Sequence, residues 1–199
     1  MKDRRSALRV IAGVFVGRAL AAHGETAELP FDLQRLMAEL AKNGPGTVRF
    51  AEVKTSALLK QPIETAGTLT YTAPARLERH TLAPRDERFV IDRDTLVIER
   101  RSSGERRELK LGDYPAVQAF AESLRGTLAG DLAALRRYYR VELDGTWADW
   151  RLVLLPSDLQ MAELVQRVVI AGDHGRIRRI ETLETSGDRS VMTITKDGR

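Results

Sequence analysis

The chain has 199 residues, 43% of them apolar and 30% charged, a composition that fits one globular domain and excludes a disordered chain. Its formal charge of +4 does not signal nucleic-acid binding. Residues 1–22 hold Lys2, Arg4, Arg5, Arg9 and Arg18 against Asp3 alone, and the remainder is formally neutral, without the general positive field that grips a phosphate backbone. The absence of cysteine rules out a disulfide framework and a zinc ribbon.

Residues 1–22 read as a secretory signal peptide. Lys2-Asp3-Arg4-Arg5 is the charged start, residues 10–17 are apolar, and Ala19-Leu20-Ala21 is a small-x-small site that places cleavage near Ala21/Ala22. Arg4-Arg5 also forms a weak twin-arginine start, so Sec and Tat export both stay open. The alternative is an amphipathic helix that stays attached. No later segment approaches the ~20 apolar residues of a membrane span. The expectation is an exported, monomeric protein of the periplasm with a single domain over residues 29–199.

A helix is predicted over 31–42, where Leu33, Leu36, Met37 and Leu40 recur at three- and four-residue spacing. Asn43-Gly44-Pro45-Gly46 stops it. From residue 47 the pattern turns to strands. Thr68-Leu69-Thr70-Tyr71-Thr72 alternates strictly and is rich in β-formers, and Pro74 ends it. Residues 76–82 form a short strand closed by Pro84. Strands over 87–91 and 95–100 flank an Asp92-Arg93-Asp94 turn, and Ser102-Ser103-Gly104 leads into 106–111. Arg100-Arg101 and Arg106-Arg107 have Glu99, Glu105 and Glu108 among them, the pattern of a solvated strand face. Turns this tight make the strands antiparallel neighbours.

Residues 115–138 are predicted helical, with Val117, Phe120, Ala121 and Leu124 in one stripe, an interruption over 126–130, and Asp131 capping a second helix that carries Leu132, Leu135 and Tyr139. Strands over 139–143 and 150–155 are joined through the hairpin dipeptide Asp144-Gly145. Strands over 164–171, 176–184 and 190–195 follow, separated by Gly172-Asp173-His174-Gly175 and Ser186-Gly187-Asp188. The fold class is α+β: an antiparallel half-barrel of about ten to eleven strands, with helices covering its concave face. Two helical segments are few for so large a sheet, so an incompletely filled concave face is expected.

No catalytic constellation emerges. His23, His80 and His174 are isolated, without a second histidine at metal-ligand spacing. There is no Gly-x-Ser-x-Gly elbow, P-loop or dinucleotide fingerprint. Asp92 with Asp94, and Asp86-Glu87, read as turn formers before they read as a cation site. A hydrolase built on scattered acids such as Asp131 or Glu181 would need a convergent pair. The expectation is a protein that is not an enzyme and needs no cofactor or metal. What recurs is apolar alternation: Leu69 with Tyr71, Leu96 with Ile98, Trp150 with Leu152 and Leu154, Val168 with Ile170, and Met192 with Ile194. Alternation fits a filled core and a ligand-lined groove alike.

The order of the motifs resembles a known family. A leader and short helix precede Phe50-x-Glu52-x-Lys54, then Pro62, Gly67-x-Leu69-x-Tyr71, Pro74-x-x-Leu77, Asp94 before Leu96-x-Ile98, helices, and Trp150-x-Leu152-x-Leu154-x-Pro156. This is similar to the LolA-like outer-membrane lipoprotein carriers, across nearly all of the chain that follows the leader. The resemblance implies a half-open barrel with a helical lid over an apolar cavity, and a periplasmic carrier of lipoprotein acyl chains or another hydrophobic envelope lipid. An inner-membrane exporter and an outer-membrane acceptor would be its partners, and nucleic acid would not. The residues then expected to bind lipid are Leu69, Tyr71, Leu77, Leu96, Ile98, Leu124, Leu128, Leu132, Leu135, Trp150, Leu152, Leu154, Val168, Ile170, Met192 and Ile194. The chain departs from the carriers at Ala73, where they place an arginine that matters for release, and at Glu52, where they place glutamine. The alternative is an envelope sensor or scaffold of the same fold that binds a protein partner.

Overall fold

The computed structural model describes residues 31–195, with Ala116 and Ala119 described through their backbone alone. The expected leader, its cleavage near Ala21/Ala22, and His23 lie outside the described residues.

Helix α1 spans Leu33–Ala41. The Asp32 carboxylate accepts from the Arg35 amide at 2.8 Å and so caps it. Leu36, Met37 and Leu40 face inward and are buried. Asn43 stops the helix by donating its side-chain amide to the Leu40 and Gly175 carbonyls. Six strands follow: β1 Gly46–Thr55, β2 Ile63–Thr72, β3 Arg76–Ala83, β4 Glu87–Asp92, β5 Thr95–Arg100 and β6 Glu105–Lys110. Helices α2 Pro115–Ala129 and α3 Leu132–Tyr138 come next, then β7 Tyr139–Thr146 and β8 Asp149–Pro156. The one-turn helix α4 Leu159–Ala162 precedes β9 Val165–Asp173, β10 Arg176–Glu184 and β11 Arg189–Thr195.

All eleven strands belong to one open antiparallel sheet, in the order β6-β5-β4-β3-β2-β1-β11-β10-β9-β8-β7. Each meander pairs only with itself except at one seam, where β1 lies against β11 from Arg49↔Thr195 to Thr55↔Arg189. The half-barrel expected from the sequence is therefore the fold observed. The mixed charges on β5 and β6 pair across the strands: Glu99 lies opposite Arg106 and Arg100 opposite Glu105, with contacts of 3.1 and 2.8 Å.

Three local expectations differ. Gly126 does not interrupt α2, which runs on to Ala129 and ends at Gly130 in the left-handed region. Its reason for being glycine is packing: a Cβ there would lie 2.8 Å from Cγ of Leu135 on α3. Asp144-Gly145 is not the hairpin turn either. Gly145 pairs with Trp150 and Thr146 with Asp149, so the loop is Trp147-Ala148. Tertiary contacts explain the shift, because the Trp147 ring packs against Phe31 and His174 at centroid distances of 5.9 and 5.7 Å and beneath Arg35 at 5.1 Å. Finally, α4 falls between the strands predicted over 150–155 and 164–171, where no element was expected. Asp158 caps it, and its Met161 is buried.

The interior is divided into two hydrophobic clusters. The larger joins α1, α3 and α4 to the second meander around fully buried Trp150, Leu152, Leu154, Val168 and Ile170. The smaller gathers Ile91, Leu96, Leu111 and Ala121 under the first meander. Burying side chains of this size contributes about 1.5–3 kcal/mol each.

The α2–α3 packing makes a testable distinction. Gly126→Ala should destabilise the protein, although alanine favours a helix over glycine by about 1 kcal/mol, because its methyl group displaces Leu135. A urea unfolding midpoint that rises in the variant would refute this account of the helix pair.

Candidate functional site

The two clusters do not meet everywhere. Between them, on the concave face of the first meander, lies a cavity of about 630 Å³. Its floor is built by strand alternation. Leu69 and Tyr71 of β2, Leu77 of β3, Ile91 of β4 and Leu96 of β5 share that face across successive registers, and Met192 and Ile194 extend it across the seam. Helix α2 is the roof, with Val117, Phe120, Leu124 and Leu128 along the cavity. At Gly67 the floor bends: the β2–β3 register shifts beside it, and a side chain there would collide with the His80 carbonyl. Bulges of this kind bend strands.

Arg125 ties the helical roof to the turns of the first meander. Arg125 of α2 donates to the Ala75 carbonyl at 2.8 Å and the Arg93 carbonyl at 3.1 Å, and its remaining charge faces Glu122 at 2.7 Å. The turns after β2 and β4 are thus held to the helix by an arginine that is itself only 11% exposed.

One end of the cavity is polar. Arg79 reaches Glu52 at 2.5 Å, Thr65 at 3.1 Å and Thr81 at 3.3 Å, and its guanidinium lies 4.6 Å from the centre of the Phe50 ring. Glu52 also accepts from Thr65 and Ser190. Burial opposes the charge on Glu52, but Arg79 and the hydroxyl donors more than offset it, and the carboxyl titrates below its ordinary value of 4.5. On the far side of α2, burial pushes the Tyr139 phenol upward, in part offset by its hydrogen bond to Ser123.

Of the sixteen residues singled out by the sequence, Leu69, Tyr71, Leu77, Leu96, Leu124, Leu128, Met192 and Ile194 line the cavity. Leu135, Trp150, Leu152, Leu154, Val168 and Ile170 are buried in the larger cluster and Leu132 packs against it. Ile98 packs against the smaller one. Phe89 and Ile91 also line the cavity and were not singled out. Their signal was present, since Ile91 lies directly opposite Leu96 across the Arg93-Asp94 loop. Arg79, Thr65 and Thr81 were missed because polar residues on a strand read as its solvent side.

The scattered acids do not converge. Asp131 caps α3 by accepting from the Ala134 amide at 2.8 Å. Glu181 pairs with Arg189 at 2.8 Å. Neither borders the cavity. His80 contacts Asp86 at 2.9 Å. Among the described residues no group of three His, Cys, Asp or Glu could hold a metal ion, and no helix is long and apolar enough to cross a membrane.

Fold and site together define a class: an open antiparallel half-barrel that keeps an apolar hollow under a helical lid. Within that class, residues 25–196 match the model of the family described as outer membrane lipoprotein carrier protein LolA-like, and the chain belongs to this family. Solved structures resemble it at low identity. One is a LolA superfamily protein from Nitrosomonas europaea, with 12% identity, TM-score 0.47, and coverage of 84% of this chain and 93% of that one. Another is a putative outer membrane lipoprotein-sorting protein domain from Vibrio parahaemolyticus, with 11% identity, TM-score 0.44, and coverage of 80% and 89%. A third is the MucA/MucB complex of Pseudomonas aeruginosa, with 12% identity, TM-score 0.42, and coverage of 83% and 56%. No curated protein matches the chain in sequence.

Two outcomes follow from the geometry. Arg125→Ala should free the lid, so that amide hydrogen exchange across residues 115–129 accelerates at least tenfold while β1 and β11 keep their protection. Exchange that is unchanged in the helix would show that Arg125 does not hold it. The second outcome concerns Glu52. Because its folded-state pKa is depressed, its contribution is present above about pH 4.5 and is lost as pH falls through the lower folded value. Glu52→Gln should therefore be less stable at neutral pH by about 1–3 kcal/mol and show a shallower acid limb in stability measured against pH.

Proposed function

We propose that this protein is a non-catalytic carrier that shelters an acyl chain of a lipoprotein or another envelope lipid in its cavity and passes it from the inner to the outer membrane. On this reading the leader over residues 1–22 delivers it to the periplasm. An exporter at the inner membrane and an acceptor at the outer membrane are then its donor and recipient. The observation that carries the proposal is the unfilled apolar hollow of about 630 Å³ beneath α2, a volume within the range of pockets that enclose one small organic ligand.

The physical need is large. A sixteen-carbon chain held in water costs on the order of 12 kcal/mol relative to an apolar environment, at about 0.8 kcal/mol per methylene. A carrier therefore has to offer comparable burial throughout the crossing and a route to release. The strands supply a floor whose hydrogen-bond ladders need not break. The lid is one helix tied largely through Arg125, and it can move as a unit. Leu69, Tyr71, Leu77, Leu96, Leu124, Leu128, Met192 and Ile194 are the side chains that would contact the chain. No chemical step is required of any of them.

Native mass spectrometry of protein purified from its own envelope tests this directly, with a bound amphiphile as the expected result. Val117→Trp, placed to fill the hollow, should reduce the bound fraction at least tenfold without lowering the unfolding midpoint. Protein that is ligand-free at isolation, and that instead holds a protein partner after delipidation, would overturn the carrier reading in favour of a sensor or scaffold.

A further inference from the structure

We infer that the end of the sheet nearest the cavity's polar residues is a membrane-docking rim, and that the loop between β1 and β2 inserts Leu58 and Leu59 shallowly into an anionic phospholipid bilayer. The carrier reading says only what such docking is for; the contact itself rests on other observations. Among the described residues eight large apolar side chains are exposed. Six of them, Leu58, Leu59, Ile63, Leu82, Leu159 and Leu164, lie at one end of the sheet, and Val53 sits just behind them on β1. Tyr114 alone stands at the other end. Single apolar residues scattered over a surface are ordinary, but their gathering at one end marks an interaction site.

The registers fix this end. Strand β1 finishes at Thr55 beside Arg189, and β2 starts at Ile63 beside Lys54. Strand β3 finishes at Ala83, and β9 begins at Val165 opposite Glu184. Thr65, Thr81 and Glu87, which border the cavity, belong to the same end. The β1–β2 loop is a built turn: the Leu58 amide donates to the Ser56 hydroxyl and the Leu59 amide to the Ser56 carbonyl, both at 3.2 Å. This turn holds Leu58 at its tip, 93% exposed. A leucine so placed gains nothing from burial until something covers it.

Three features select a bilayer as the cover. The first is charge. Residues 56–62 contain Lys60 and no carboxylate. The turn after β3 adds Arg85, and its Asp86 is engaged by His80 and Arg101. Glu64 lies opposite Val53, on the face away from the cavity. Elsewhere on the rim Asp158 caps α4, and Glu184 and Asp188 face Lys54. Glu163 stands beside Leu164, so the β1–β2 side is the cationic one. The second feature is spacing. From β3 to β9 the sheet order counts five strand spacings, about 24 Å at about 4.8 Å each. A fluid lipid surface receives separated tips wherever they fall, whereas a protein partner would need a pocket for each. The third is amount. Two leucine side chains carry about half the hydrocarbon of a myristoyl chain, which by itself gives only reversible binding. The Lys60 stem can lie along the interface with its ammonium among head groups. Contact of this strength forms and ends readily, as a carrier requires.

The test uses protein purified from its own envelope and vesicles of phosphatidylethanolamine with phosphatidylglycerol, with phosphatidylcholine vesicles for comparison. The chain has no cysteine, so Leu58→Cys and Tyr114→Cys each carry a single nitrobenzoxadiazole label. On the anionic vesicles the label at position 58 should shift to the blue and be quenched by spin labels on the acyl chains. The label at position 114 should do neither. Leu58→Asp should weaken vesicle binding about tenfold, and Lys60→Glu should reduce the preference for anionic vesicles, both with an unchanged unfolding midpoint. No shift at position 58 on either kind of vesicle would overturn the inference and leave the loop to a protein partner. An equal shift at position 114 would overturn it as unspecific adsorption. A shift at position 58 that grows with protein concentration in the absence of vesicles would overturn it in favour of a second copy of the chain. The two readings fail separately. Protein that inserts Leu58 yet is isolated without an amphiphile would sink the carrier reading alone, and lipid-loaded protein that leaves Leu58 in water would sink the docking alone.

Discussion

The pairing of β1 with β11 determines most of what this protein can do. It takes the first strand and the last, 134 positions apart at the Thr55–Arg189 contact, and makes them the centre of the sheet. Two local meanders, each able to form by hairpin closure alone, become one surface of eleven strands. Seven residue pairs form that seam. Such a sheet curls under its own twist and must cover its concave face with whatever helices the chain supplies. The chain supplies few, and it places them unevenly. Helices α1, α3 and α4 all pack against the second meander, whereas α2 stands nearly alone over the first. The hollow is a consequence of that imbalance.

The imbalance is set by side-chain size. Over the second meander, Trp150, Leu152 and Leu154 of β8 interlock with Leu36, Leu40, Leu135 and Met161, all of them 2% exposed or less. The close α2–α3 approach at Gly126 helps to fill this half. Over the first meander, the roof presents Val117, Phe120, Leu124 and Leu128 along the hollow, while Ala121 packs with Ile91, Leu96 and Leu111 at its edge. Further along, polar side chains take over from apolar ones on the same face, at Thr65, Arg79 and Thr81. The concave face thus runs from packed core, through an apolar void, to a charged network centred on Glu52.

The sequence revealed the fold more readily than it revealed the site. Strand periodicity, turn residues and the Asp131 cap located nearly every element, because each depends on neighbours close along the chain. Where tertiary contacts competed, local signals misled. Asp144-Gly145 has the composition of a hairpin turn, yet Trp147 takes that role because Phe31, Arg35 and His174 hold its ring. Gly126 looks like a helix breaker and is a packing notch. The site was harder for a more basic reason. Alternation reports which face of a strand is inward but not whether anything lies opposite. Leu152 and Leu69 carry the same signal; one meets other side chains and the other borders a void. Nor could alternation identify Arg79 as inward-facing, since its burial depends on Glu52, two strands away.

The void is too large to be a simple flaw in packing. Empty apolar space costs about 24 cal/mol per Å³ in measured core deletions, so 630 Å³ left dry would cost on the order of 15 kcal/mol. That equals or exceeds the whole net stability of a typical domain, about 5–15 kcal/mol. The hollow is open at its rim, so it is not left dry, and on the proposed reading it exchanges water for cargo. Water can enter from the polar end, where Thr65, Arg79 and Thr81 offer hydrogen bonds, but it gains nothing along Leu69, Leu96 or Leu124. On the proposed reading, an alkyl chain would satisfy those walls and leave the polar end to its head group. On the same reading, cargo would leave by stages: exchanging lipid for water along part of the cavity costs less than emptying it, and each methylene drawn out shifts the balance by about 0.8 kcal/mol.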